Sequence, residues 1–248
     1  MPSCWAKILQ KIRWRITHTR KFPKADLLSC LLNLADRGFE PREVLDIGAN
    51  KGKWSRRVKW VFPDARITLV EPQAEMQPYL DAFCRKYRNS QWIQAGCGDR
   101  VGKQVFTVVP DTVSSSFAIT QEHAQSHGWE RREVPIVTVD HLVAEGKCGV
   151  PDILKVDAEG YESQILRGAE SVLGKVELIF LEADFFRDED YGSSLYSLLK
   201  QMDDYGYRLY DFTWFGKRPL DGAIGLAEVA FARYQGILRE SHGWGRAA

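Results

Sequence analysis

At 248 residues and 28.3 kDa, the chain has the length of one α/β domain with an appendage. Its 44% hydrophobic and 27% charged residues exclude collagen-like, low-complexity and wholly disordered chains, and they imply a large packed core. Thirty-four Lys and Arg against 33 Asp and Glu leave a formal charge of +1, so no overall field draws the chain to nucleic acid.

Residues 1–25 hold seven basic residues and no acidic one, with Trp5, Ile8, Leu9, Ile12 and Ile16 spaced for one helical face. This predicts a basic amphipathic helix that packs on the domain or rests on an anionic membrane surface as a peripheral contact. Lys7, Lys11, Arg13 and Arg15 interrupt its apolar stretch, unlike a secretory leader. No run free of Asp, Glu, Lys and Arg exceeds ten residues, whereas a spanning helix needs about 20 apolar ones. A cytoplasmic location is therefore expected. The five cysteines are odd in number and include no C-x-x-C pair, which argues against a disulfide framework or a zinc knuckle.

A second helix is expected from Asp26 to Arg37, stopped by Gly38. The division predicted is a helical extension over residues 1–40 and a single domain over residues 41–248. Beyond Val44 short β-rich runs alternate with helical ones, the pattern of a mostly parallel sheet covered on both faces. The strands are Val44 to Ile47, Arg66 to Val70, Gln91 to Ala95, Ile153 to Val156 and Leu178 to Leu181. The helices between them are Trp54 to Phe62, Met76 to Tyr87, Ser163 to Leu173 and Ser193 to Tyr205. From Gly102 to Asp140 the rhythm breaks into two further strands, Gln104 to Val109 and Val134 to Val139, around a polar loop with Ser114, Ser115, Ser116, His123 and His127. Tyr207 to Phe212 and Glu228 to Arg233 read as a closing antiparallel hairpin.

The most informative stretch runs from Val44 to Gly52, an apolar strand that enters a glycine turn and then a helix. Gly48 and Gly52 stand three residues apart and Trp54 follows Lys53, which excludes a P-loop; Asn50 occupies the place of a dinucleotide glycine. The next strand ends in Glu71-Pro72, where an acid accepts hydrogen bonds from both hydroxyls of a ribose. A ligand with a ribose, no phosphate and cationic groups suits these acids. S-adenosylmethionine is such a ligand.

With Asp46 to Gly52, Glu71-Pro72, Gly98-Asp99, Ser115-Ser116, Thr138-Val139-Asp140 and Leu154 to Gly160 occurring in that order, the chain resembles the FkbM-type S-adenosylmethionine-dependent methyltransferases from about Pro41 to Phe185. The resemblance implies a Rossmann-like class I methyltransferase fold, with helices on both faces of a seven-stranded, mostly parallel sheet whose last strand is antiparallel. It also implies O-methylation of a hydroxyl on a sugar, polyketide or similar small metabolite. Carried over, Asp46, Gly48, Ala49, Asn50 and Gly52 surround the methionine part of the cofactor, Glu71 and Pro72 meet the ribose, and Cys97, Gly98 and Asp99 border the adenine. Where the family usually places Leu or Ile before Gly-Asp, this chain has Gly96-Cys97.

The acceptor hydroxyl must be aligned and must lose its proton. In an extended strand Lys155 and Asp157 point to one face, which makes Asp157 the first candidate for the base or for a ligand of a divalent cation. Glu182 and Asp184 are its expected partners, and Lys155 is either part of the site or the partner in an ion pair that holds the strand end. Two alternatives to an enzyme are a non-catalytic S-adenosylmethionine-binding protein and a membrane-docked interaction protein.

Overall fold

The computed structural model describes residues 25–186, 194–241 and 243. The basic helix expected over residues 1–25 falls almost wholly outside these, as does Ser193 at the start of an expected helix.

Apolar runs bounded by turns build the parallel core: β1 (Glu43–Ile47), β2 (Arg66–Val70), β3 (Ser90–Ile93), β7 (Ile153–Val156) and β8 (Leu178–Asp184). The closing hairpin, β9 (Tyr207–Lys217) and β10 (Ile224–Arg233), adds two more strands. The sheet order is β3-β2-β1-β7-β8-β10-β9, and β10 runs antiparallel to both neighbours, as the sequence pattern predicts. Both hairpin strands are longer than expected, and the pair forms an arm that reaches past the end of β8.

The helices are α1 (Leu27–Asp36), α2 (Lys53–Val61), α3 (Gln77–Lys86), α5 (Val139–Ala144), α6 (Glu162–Arg167) and α7 (Leu195–Asp204), with α4 (Gln121–His127) in the insertion. Asp26 caps α1 by accepting the Ser29 N–H at 2.8 Å. Helix α6 ends at Arg167, six residues before the expected Leu173. Gly168 sets that limit: a Cβ there would meet the Gly98 carbonyl oxygen at 2.0 Å, so the chain turns where two backbones touch.

Strand alternation sorts the core into two layers. Leu45, Ile47, Leu154, Val156, Ile179 and Leu181 face Ile165, Leu166 and the α7 residues Leu198 and Met202. Val44, Ile153, Leu178 and Phe180 face the opposite layer, which α1, α2 and α3 close with residues such as Leu31, Val58 and Leu80. On this second face the apolar row gives way to charge toward the carboxyl ends of the strands, where Asp46, Lys155, Glu182 and Glu228 occupy the following alternate positions.

The segment expected as two strands and a polar loop forms a separate three-stranded sheet, β4 (Gly96–Cys97), β6 (Glu130–Val137) and β5 (Gly102–Val108). The third core strand therefore stops at Ile93 rather than Ala95, because the chain crosses at Ala95 to pair Gly96 with Ile136. Gly96 admits no side chain, since a Cβ would lie 2.3 Å from the Phe117 ring. Among the described residues no helix is long and apolar enough to cross a membrane.

Candidate active site

The glycine turn after β1 is held from both sides. Gly48 and Ala49 donate their N–H groups to the Val70 carbonyl at 3.0 and 3.2 Å, and a Cβ on Gly48 would stand 1.7 Å from the Asp157 carbonyl oxygen. Gly48, Asn50 and Gly52 all have positive φ, which carries the backbone around the turn and into α2. Gly52 faces Leu80, Phe83 and Leu69 at ordinary contact distance, so it serves the packing of the loop rather than its open side.

Glu71 lies across from this turn and is almost wholly buried. Its Oε2 accepts the Asn50 N–H at 2.7 Å, and its Oε1 accepts the Gln73 N–H at 2.9 Å. Burial pushes its pKa up while these N–H groups pull it down. The insertion closes over both residues. Asn50 Nδ2 and Gln73 Nε2 donate to the Thr112 carbonyl at 2.7 and 3.0 Å, and Ser116 Oγ donates to the Glu159 carbonyl at 2.8 Å. Thus the Ser115-Ser116 pair fastens the insertion to the strand ends.

Between the turn, Glu71 and the insertion lies a partly enclosed cavity, about 580 Å³ counted with its open mouth. Its wall includes Gly48, Asn50, Glu71, Pro72, Gly96 and Cys97, with Phe106 and Phe117 on the insertion side. Among the described residues its charged lining is Glu71, Asp157 and Glu159, with no Lys or Arg. Such a wall repels phosphates and suits a cationic ligand. Of the other residues expected at the cofactor, Asp46, Ala49, Gly52, Gly98 and Asp99 stand outside the wall. Gly98 instead bonds its N–H to the Val137 carbonyl, and Asp99 pairs with the exposed Arg100. Gln73, Phe106 and Phe117 line the cavity without any motif that singles them out, and Ser115 of the Ser-Ser pair joins them.

Asp46 is fully buried and accepts the Ser55 hydroxyl at 2.5 Å. Lys155 Nζ lies 3.2 Å from Asp46 Oδ1 and 3.3 Å from Asp157 Oδ2, and it donates to the Gly48 carbonyl at 2.8 Å. Burial opposes the lysine charge, but Asp157, Asp46 and Glu228 outweigh it and hold the pKa above the ordinary lysine value. Lys155 is therefore an ammonium group that fixes the turn and the end of β7 together. The Asp157 side chain is 40% exposed.

Asp157, Glu159 and Glu182 bring carboxylate oxygens within 4.8 Å of one another. Asp184, expected beside Glu182, instead accepts the Phe186 N–H at 2.8 Å, and Glu159 takes its place in the cluster. Glu159 gets there through a left-handed backbone, φ 53°, just after the strand. Burial and the surrounding Asp157, Glu159 and Glu162 raise the pKa of Glu182. His123 and His127 share a face with ring centroids 4.5 Å apart and stack around Trp129 on the exposed insertion, remote from any acidic cluster found among the described residues.

A second hollow opens on the other side of Asp157, lined by Arg57, Asp157, Glu182, Thr213, Trp214 and Glu228. Asp157 lines both hollows. Glu228 is the residue that sequence reasoning missed; its one signal is an acid inside the apolar run from Leu226 to Ala232.

The family model for the methyltransferase FkbM domain matches residues 46–209, from Asp46 at the turn to the start of β9. The chain belongs to the FkbM methyltransferase family. Among curated relatives, the 2-O-methyltransferase NoeI of Sinorhizobium fredii (strain NGR234) is 25% identical over 154 residues, 56% of this chain and 62% of that protein. The hexuronic acid methyltransferase AglP of Haloferax volcanii is 24% identical over 176 residues, 68% of this chain and 65% of that protein. The matches thus span less than two thirds of either relative. The crystal structure of an FkbM methyltransferase from Methylobacillus flagellatus superposes with a TM-score of 0.52 at 15% identity, covering 92% of this chain and 60% of that one. That likeness is one of fold: both chains carry the Rossmann-like methyltransferase sheet.

Proposed function

We propose that this FkbM protein transfers a methyl group from S-adenosylmethionine to a hydroxyl of a sugar or comparable small metabolite. The observation that carries the reading is the placement of Asp157, which lines both the acidic cavity beside the glycine turn and the hollow beneath the hairpin. A cofactor in the first and an acceptor in the second would meet there. The names of the NoeI and AglP relatives support oxygen on a sugar as the site of transfer.

The residues fit the cofactor. Gly48 packs against the Asp157 carbonyl and so keeps the turn close to the end of β7, Glu71 lines the cavity at the strand end where a ribose would lie, and the acids of the wall suit a sulfonium and an ammonium group. S-adenosylmethionine supplies a methyl carbon made electrophilic by its positive sulfur. With it bound, the Asp157 carboxylate would take the acceptor's hydroxyl proton as the oxygen gains the methyl group and the sulfur leaves as a neutral thioether. Lys155 keeps Asp157 oriented through the 3.3 Å contact while tying the turn in place.

In a second version of the proton step Asp157, Glu159 and Glu182 would hold a divalent cation that lowers the acceptor's pKa, favoured by the 4.8 Å cluster of their oxygens. Calorimetry with S-adenosylmethionine and turnover of Asp157→Asn test the main reading. Binding in the wild type and a loss of about 10²- to 10⁴-fold in kcat with cofactor affinity retained are expected. Absence of cofactor binding at millimolar concentration overturns it. Turnover that survives dialysis against EDTA eliminates the cation.

A further inference from the structure

The floor of the second hollow is irregular β-structure. Glu228 pairs with Trp214 but Val229 pairs with Phe212, so Thr213 is an extra residue on β9. In a regular strand Thr213 and Trp214 would face opposite sides of the sheet; at this bulge both line the hollow. Bulges of this kind re-aim side chains and are frequent beside active sites. The Thr213 hydroxyl donates to Glu228 Oε1 at 2.5 Å and so fixes the orientation of that carboxylate. Trp214 remains 47% exposed beside it.

An exposed indole next to an anchored carboxylate matches the two sides of a glycosyl ring. One face of a pyranose presents C–H groups that pack on an aromatic plane, and its edge presents hydroxyls that donate to carboxylates. Among the described residues Asp157, Glu182 and Arg57 complete the lining.

We infer that Trp214 and Glu228 are the acceptor-specificity residues, and that they select a glycosyl ring, stacked on Trp214 with one hydroxyl on Glu228 and its neighbour on Asp157. The inference rests on the methyltransferase reading and deepens it by naming the subsite.

The test uses protein loaded with S-adenosylhomocysteine, with loading measured by calorimetry, and saturation-transfer NMR on methyl glycosides of neutral hexoses and 6-deoxyhexoses and on methyl glucuronide. Saturation of ring C–H protons is expected for at least one of these glycosides. It should fall about tenfold in Trp214→Ala, be largely restored in Trp214→Tyr, and weaken in Glu228→Gln. Each variant is compared at equal S-adenosylhomocysteine loading, which separates a lost subsite from a lost fold. Loaded wild-type protein that binds none of the glycosides, or a signal unchanged by Trp214→Ala, would overturn the inference while leaving the methyltransferase reading in place. Failure of the wild type to bind S-adenosylhomocysteine would overturn both.

Discussion

Lys155 stands between Asp46 and Asp157, 3.2 Å from one carboxylate and 3.3 Å from the other, and it joins the buried acid at the end of β1 to the exposed acid at the end of β7. Replacing it by Met leaves Asp46 buried with only the Ser55 hydroxyl as a donor among the described residues. An uncompensated buried charge costs about 3–5 kcal/mol, so Lys155→Met should lower the urea midpoint strongly. The double variant Asp46→Asn/Lys155→Met should recover a substantial part of that loss. Strict additivity of the two single effects would show that the pair is not coupled.

The Gly48 contact predicts a functional rather than a global defect. Gly48→Ala places a methyl group where the Asp157 carbonyl oxygen already lies, 1.7 Å from the ideal Cβ, and it does so at φ 71°. The turn must shift away from β7, and S-adenosylmethionine affinity should drop by roughly tenfold or more. Gly38→Ala is the control. Gly38 has φ 82° but open space around it, so it should cost about 1 kcal/mol of stability and leave cofactor affinity unchanged. Calorimetry on both variants separates close approach from backbone strain.

The parallel strands are legible in the sequence because residues buried on both faces make apolar runs, as from Val44 to Ile47 and from Ile153 to Val156. The glycine turn and Glu71 are legible for a similar reason: the local backbone demands those residue types within a few positions. What escapes is set by contacts distant in sequence. Glu228 enters the site because β10 pairs it with Glu182 on β8, 46 residues earlier in the chain. Glu159 lies in the Leu154 to Gly160 stretch that the sequence singles out, and only its place in the acidic cluster, where Asp184 was expected, depends on its left-handed backbone. Gly98 and Asp99 stand in the expected order, yet the crossing at Ala95 carries them past the cavity wall to the second sheet.

Glu71 uses both carboxylate oxygens, one for the Asn50 N–H and one for the Gln73 N–H. Glu71→Gln has one acceptor oxygen and one amino group, so one of those N–H groups must face a donor. Hydrogen bonds to charged groups are worth about 1.5–3 kcal/mol, which predicts a loss of roughly 10- to 100-fold in affinity for S-adenosylhomocysteine. Calorimetry measures this directly, and an affinity within about twofold of the wild type would remove Glu71 from the ribose site.

Glu182 and Glu228 face each other across β8 and β10, and burial raises both pKa values, that of Glu228 to about 7. An unfolded glutamate ionises near 4.5, so as pH rises from there to about 7 the unfolded chain releases the Glu228 proton while the folded chain keeps it. The folded state then binds more protons, and the contribution of Glu228 to stability is present in full below pH 4.5 and is lost as pH rises through 7. The raised value of Glu182 extends the decline to higher pH. Glu228→Gln keeps an oxygen for the Thr213 hydroxyl but removes the titration. It should match the wild type near pH 4.5 and exceed its stability at pH 8 by about 1–3 kcal/mol, read from urea unfolding at the two values. An equal pH slope in the two proteins would show that Glu228 titrates in the native chain as it does in solvent.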